Sequence, residues 1–501
     1  MSLSLLVILP LLTAIIILFC KDLKQVRVTA LLGSIIQFIL ILYLYFVDYT
    51  LDYVFGNIDG HPGNPFYLEY THAWFSALNI NYHIGVDGIS IAMIALTACV
   101  VLAGVLVSWK EERMSKEFFF LLMLLAVGAY GFFISLDLFT MFFFLEVAVI
   151  PKFLMICIWG SGKKEYSAMK LALMLIAASA LVFVGLMGLY FTTHTFNLAE
   201  IAQMHIPVNI QNTFFPFAFI GFGIFTALFP FHTWVPDGHS SAPTAGSMFL
   251  AGISMKLGGY GCLRVATFLM PDAAKEYSFI IVVLATVAII YGAFATMMQK
   301  DLKYINAYSS VSHCGFVLLG IGMLTETSIR GAVLQMVSHG LMTALFFAAI
   351  GMIYSRTHTR MLAELGGLLK VMPFISAVFV IAGLCSLGLP GLSGFVAEMT
   401  VFMGSWQNAD GAYRIATILS CASIVVTAVY ILRATGQAVM GPVSNHHYLQ
   451  LHDAAWNEKI AAVILIAGIL FIGIAPFELN NLIAPATETI IQHITNALAL
   501  K

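Results

Sequence analysis

The sequence predicts an all-α integral membrane protein of about fourteen transmembrane helices, arranged as two inverted five-helix repeats with breaks in the seventh and twelfth helices. Three observations lead there. Charge is scarce, apolar stretches of membrane-spanning length recur along the whole chain, and basic residues crowd into alternate loops. Only 10% of the 501 residues are charged and 60% are hydrophobic, and mean hydropathy is +0.95. Soluble domains carry about 25% charged residues, so lipid must serve as the solvent.

The apolar stretches fall near 2–20, 27–47, 87–108, 116–134, 137–159, 167–191, 211–230, 241–268, 277–298, 304–324, 329–353, 371–405, 411–433 and 460–478. Each is long enough to cross a bilayer as a helix. The twelfth is too long for one plain crossing and contains LGLPGLSG (387–394), which predicts a break. The first has no basic leader and no small-residue cleavage site, so it reads as a retained helix.

Orientation follows from Lys and Arg in short loops. Alternate loops, starting with the first, hold Lys21, Lys24, Arg27, Lys110, Arg113, Lys116, Lys163, Lys164, Lys300, Lys303, Arg356, Arg360, Lys370, Arg433 and Lys459. The opposite side holds Lys275, Arg330, Arg414 and Lys501. The loop 48–86 carries Asp48, Asp52, Asp59 and Glu69 without any Lys or Arg. Both termini are therefore expected outside.

The fifth span opens with Asp137-Leu and the tenth with Asp301-Leu. Pro230 and Pro390 follow at nearly equal intervals. This hints that helices four to eight and nine to thirteen are two units, the second inverted because each holds an odd number of helices. The expected divisions are 1–115 (three helices and the outer loop), 116–268, 277–433 and 434–501.

Other function classes find no support. A net charge of −2 offers nothing to nucleic acid. The seven cysteines form no CxxC pair and read as buried inert thiols. There is no GxGxxG or GxxxxGK[ST] phosphate loop, and no HExxH or HxxxH metal pairing.

Function points instead to the ionisable residues inside spans, which are costly in lipid unless paired or put to use. Glu146, in DLFTMFFFLEVAVIPKF, lies near the middle of the fifth span. Lys256, in SMFLAGISMKLGGYG, lies in the middle of the eighth among small residues that leave room for water. Glu398, in GLSGFVAEMTVF, follows the Pro390 break, where freed backbone groups require water or protein partners. These three are the expected proton-transfer residues.

Lys170 sits just inside the sixth span, and snorkelling competes with function there. Lys152 follows Glu146 by six residues, which on a straight helix is about 9 Å along the axis and about 240° around it. His232, His313 and His339 are candidate members of a water chain. Arg264 lies near a helix end and is expected to snorkel.

These residues carry a resemblance. HTWVPDGHSSAPTAGSMFLAGISMKLGGYG (232–261), DLKYINAYSSVSHCGF (301–316) and LGLPGLSGFVAE (387–398) resemble the antiporter-like proton-pumping subunits of respiratory complex I. IGVDGIS (84–90) and FFFLEVAVIP (142–151) fit the same family. The resemblance implies fourteen helices with inverted repeats. It implies that Glu146 is the helix-five carboxylate, Lys256 the central lysine and Glu398 the terminal site. Glu at 398 is similar to the M chains, where L and N chains usually carry Lys.

The resemblance further implies no cofactor in this chain. Quinone, NADH, FMN and iron–sulfur clusters would belong to partner subunits. L- and N-type chains would be its neighbours, and its place a bacterial inner membrane. Multi-subunit cation/proton antiporters and membrane-bound hydrogenases share the fold and form the alternative. One departure stands out: the family's helix-seven lysine is Phe225 here, and Lys152 is expected to supply part of that charge.

Overall fold

A computed structural model describes residues 2–49 and 66–499. Asp52, Asp59 and Lys501 lie outside the described residues. Among the described residues, ten helices are long and apolar enough to cross a membrane: Leu23–Tyr49, Gly88–Val107, Ser115–Ile134, Leu138–Trp159, Lys164–Thr193, Val208–Phe225, Pro271–Met297, Glu326–Thr357, Gly411–Ala438 and Trp456–Ile474. The other four expected stretches are also helical but shorter, interrupted or more polar. They are Leu5–Phe19, the pieces between Thr244 and Thr267, Leu302–Gly322, and the pair Pro373–Ser386 and Ser393–Trp406. An amphipathic helix, Pro476–Ala499, ends the described chain.

The loop before the third span folds into an antiparallel hairpin of β1 (Tyr67–Phe75) and β2 (Ile80–Val86). Helix Glu326–Thr357 is wholly enclosed across its apolar window, whereas Lys164–Thr193 and Gly411–Ala438 keep apolar side chains on the outside. Leu173, Ile176, Ile415 and Val425 are such residues. A helix apolar on every side suits either a core or lipid, and this bundle uses both.

Local chemistry sets the helix ends. Asp87, Asp137 and Asp301 are N-caps whose carboxylates accept from the backbone N–H of Ser90 (2.9 Å), Thr140 (2.9 Å) and Lys303 (2.7 Å). Asp137 also bridges to Asn197, as Asp301 does to Met361. The helices before those bridges end alike. Each closes on a Thr-His-Thr sequence (193–195 and 357–359) with the His left-handed, at φ 56° and 55°. The second Thr hydroxyl of each donates to a Glu downstream, Thr195 to Glu200 and Thr359 to Glu364.

Three interruptions lie beside the candidate residues. After Phe225 the chain leaves the helix through Ala227 (φ 73°) and re-enters at Trp234–Ser241. After Ser386 it leaves through Gly388 (φ 76°) and Gly391 (φ 93°) and re-enters at Ser393. The third is unexpected: the fifth span breaks at Ala148, between Leu138–Val147 and Val149–Trp159. Pro151 has no N–H for the Val147 carbonyl, which loosens that turn. The straight-helix angle between Glu146 and Lys152 therefore does not apply.

Two basic residues lie elsewhere than expected. Arg264 does not snorkel: it is 1% exposed and forms an ion pair with Asp87, its guanidinium also lying over the rings of Phe66 and Tyr260. Lys303, assigned to a loop from sequence, is buried and donates to the Ala242 carbonyl at 2.6 Å. A residue at a span end can reach inward as readily as outward, and only the tertiary partner decides which.

Breaking a buried pair strands the remaining charge, at a cost of about 3–5 kcal/mol. Arg264→Ala is therefore expected to lower thermal stability sharply, measured by loss of assembled protein on heating. The double variant Arg264→Met/Asp87→Leu should recover much of it.

Candidate functional site

Lys256 occupies a short α-helical stretch, Met255–Gly261, with π-helical turns on either side, Leu250–Ser254 and Cys262–Thr267. Such turns leave carbonyls out of the regular ladder and recur at functional sites. The ammonium, 1% exposed, donates to the Ala251 carbonyl (2.5 Å) and to His339 Nδ1 (2.7 Å). Among the described residues no carboxylate lies within ion-pair distance of it.

From His339 the contacts continue. Its ring stacks on His313, with centroids 5.4 Å apart and planes at 29°. His313 Nδ1 lies 3.3 Å from Glu398 Oε1, and both residues are buried. The same Nδ1 lies 3.3 Å from Gln335 Nε2. Protonated, it donates to the carboxylate; unprotonated, it accepts from the amide. Ser386 Oγ sits 3.0 Å from His313 Nε2, and Ser309 and Tyr430 continue that hydroxyl chain at 3.4 and 3.0 Å.

The break in the twelfth span places Glu398. Gly388 adopts a left-handed φ of 76°, and a Cβ there would meet Glu398 Oε2 at 2.7 Å. Ser338 donates to Ser393 (2.8 Å), tying the enclosed eleventh helix to the half-helix that carries Glu398.

The first half of the chain is built differently. Glu146 is only partly buried and accepts from the Ser179 hydroxyl. Lys152 is 2% exposed, its Nζ has no hydrogen-bond partner, and it lies 5.9 Å from the centroid of the Phe225 ring. A cation over an aromatic face gains about 0.5–2 kcal/mol. Near the positively biased end, Lys170 pairs with Asp237 at 2.7 Å. His232 stacks on Phe229 and meets Tyr291 edge-on, its buried Nδ1 without a hydrogen-bond partner.

The structure thus joins Lys256, His339, His313 and Glu398 through successive contacts. It sets Glu146 with Ser179, Lys152 against Phe225, and Lys170 with Asp237; Glu146 and Lys152 make no ion-pair contact but are close enough to act on each other electrostatically. Sequence reasoning missed Ser179, Asp237, Gln335 and Lys303. A polar residue at a span end or a lone Ser inside one looks ordinary, although VPD after Pro230 marked Asp237 as lying just beyond a break. Among the described residues no group of three or more His, Cys, Asp or Glu could hold a metal ion.

Residues 135–426 match the family model described as NADH:quinone oxidoreductase/Mrp antiporter, TM, and the chain belongs to that family. Within it, the chain is an antiporter-like subunit of the M, or chain 4, type. It is 32% identical to NADH-quinone oxidoreductase subunit M of Rickettsia bellii over 499 residues, covering 97% of this chain and 98% of that one. It is 37% identical to NAD(P)H-quinone oxidoreductase chain 4-2 of Synechocystis over 426 residues, covering 84% and 74%. The fold is shared with a chain of respiratory complex I from Thermus thermophilus (TM-score 0.88, 24% identity, 98% and 99% covered). It is shared also with a chain of the Mrp complex from Dietzia (TM-score 0.84, 19% identity, 98% and 99% covered).

Gly388→Ala places a Cβ against the Glu398 carboxylate in a left-handed conformation that costs about 1–2 kcal/mol. Reduced stability and weakened proton translocation are expected, read in reconstituted vesicles. Gly411, with nothing within 4 Å of an added Cβ, is the control site, and Gly411→Ala should be neutral.

Proposed function

We propose that this chain carries protons across the membrane as a subunit of a respiratory NADH:quinone oxidoreductase, through Lys256, His339, His313 and Glu398. The observation that carries this reading is the unbroken series of contacts from a buried ammonium without a carboxylate partner to a buried carboxylate at a helix break. An ammonium held only by a carbonyl and an imidazole responds readily to charges elsewhere. Glu146 and Lys152 supply such a charge. A conformational change from neighbouring subunits alters their interaction, and Lys256 passes its proton to His339. Transfer to His313 uses a water or a ring rotation, and Glu398 receives the proton.

The energies match in scale. Moving one charge against 100 mV costs about 2.3 kcal/mol, and each tenfold change in a protonation equilibrium is worth about 1.4 kcal/mol.

In this reading the chain makes fourteen crossings with both termini outside, in a bacterial inner membrane, and its second five-helix unit is the inverse of the first. The matched Asp caps and Thr-His-Thr ends support that repeat. The electron-transfer groups (FMN, iron–sulfur clusters) and the sites for NADH and quinone lie in partner subunits, and L- and N-type chains are its neighbours. The likeness to the Mrp fold favours a second reading, a cation/proton antiporter subunit. Sodium-dependent proton flux without quinone reduction would identify that case.

Lys256→Met is expected to lower the number of protons taken up by inside-out vesicles per quinone reduced, by this chain's share, while quinone reduction continues. Uptake equal to wild type would exclude the proposal. Lys152→Met should weaken uptake, and adding Phe225→Lys should restore it by returning a cation to the same place.

A further inference from the structure

One charged group takes no part in the path above. Asp237 sits in the half-helix Trp234–Ser241, just after the seventh-span break, as Glu398 sits just after the twelfth. Its carboxylate is shared by two units of the fold. Oδ2 accepts from Lys170 Nζ of helix Lys164–Thr193 at 2.7 Å. Oδ1 accepts from the Tyr304 hydroxyl of helix Leu302–Gly322 at 3.3 Å.

The half-helix is held rigidly around it. Arg360 donates to the Ser240 carbonyl (2.7 Å) and Lys303 to the Ala242 carbonyl (2.6 Å), two cations at a helix C-terminus, where the dipole favours them. Where Glu398 is 4% exposed, the Lys170 and Asp237 side chains each keep 24% of their surface open. They lie at the end of the bundle carrying Lys163, Lys164, Lys300 and Arg356, the end assigned to the cytoplasm. His232, whose buried Nδ1 has no hydrogen-bond partner, lies five residues before Asp237, in the turn that closes the same break.

We propose that Asp237 is the carboxylate through which protons enter from the cytoplasm, with Lys170 as its positioning counter-ion. The proposal rests on the proton-carrying reading above. The carboxylate takes a proton from cytoplasmic water and its hold on Lys170 weakens. It then passes the proton inward toward His232 and recovers its charge and its partner. Tyr304 reports the change to the helix that also carries His313, so loading at one break is felt at the other.

The test uses the whole complex in inside-out vesicles, whose outer face is the cytoplasmic one. Asp237→Asn should lower proton uptake per quinone reduced to the level left by Lys256→Met. Asp237→Glu should keep most of it. The charge swap Lys170→Asp/Asp237→Lys separates entry from structure. It rebuilds an ion pair but moves the carboxylate to another helix, so uptake should stay low. Normal uptake in Asp237→Asn, or recovery in the swap, would overturn the proposal. Lys256→Met run alongside distinguishes the two readings. If it pumps normally, the transport reading itself fails; if its uptake is lowered while that of Asp237→Asn is normal, only the assignment of Asp237 fails.

Discussion

The Lys256 ammonium is held by one carbonyl and one imidazole nitrogen, buried deep in the bundle. In hydrocarbon an uncompensated cation is unfavourable by several kcal/mol, so its surroundings must provide for it. The π-helical turns on either side free the carbonyl it uses. The enclosed eleventh helix brings His339 to it. Small residues around it let the helices approach. Much of the bundle's irregularity follows from keeping this one charge soluble without neutralising it. A carboxylate in contact would stabilise it more and would also hold its proton fast.

The breaks answer a related constraint. Backbone groups released from a helix in the membrane must find partners in protein or water. At the seventh span, Leu228 N–H reaches the Gly223 carbonyl (2.7 Å) and the Trp234 indole N–H reaches that of Ile224 (2.9 Å). At the twelfth, Leu389 N–H reaches the Leu384 carbonyl (3.1 Å). Each half-helix that resumes beyond a break carries a carboxylate toward the bundle, Asp237 in one case and Glu398 in the other. The same device therefore places an acid just beyond each break, one partly open and the other buried.

The sequence disclosed the spans and three of the charges because a Glu or Lys within twenty apolar residues has few bland explanations. Glu146, Lys256 and Glu398 stood out on that ground, and the Pro390 break was visible in its Gly and Pro. Partners were less legible. Asp87 and Arg264 are far apart in the chain, and neither residue alone reveals that they meet. Lys303 and Asp237 sit at span ends, where a charge normally faces water. The Ala148 break depends on Pro151 acting within a packed bundle. Lys152 is an intermediate case. Its charge was conspicuous and Phe225 suggested a vacancy, but that the ammonium lies over that ring is visible only in the fold.

The central claim is that Glu398 receives a proton that has left Lys256. Redox-triggered infrared difference spectroscopy on the whole complex tests it most directly, because a carboxyl group changing protonation has its own stretching band. A carboxyl band should appear on quinone reduction, be absent in Glu398→Gln, and be absent also in Lys256→Met with Glu398 intact. A Glu398 band that persists unchanged in Lys256→Met would contradict it.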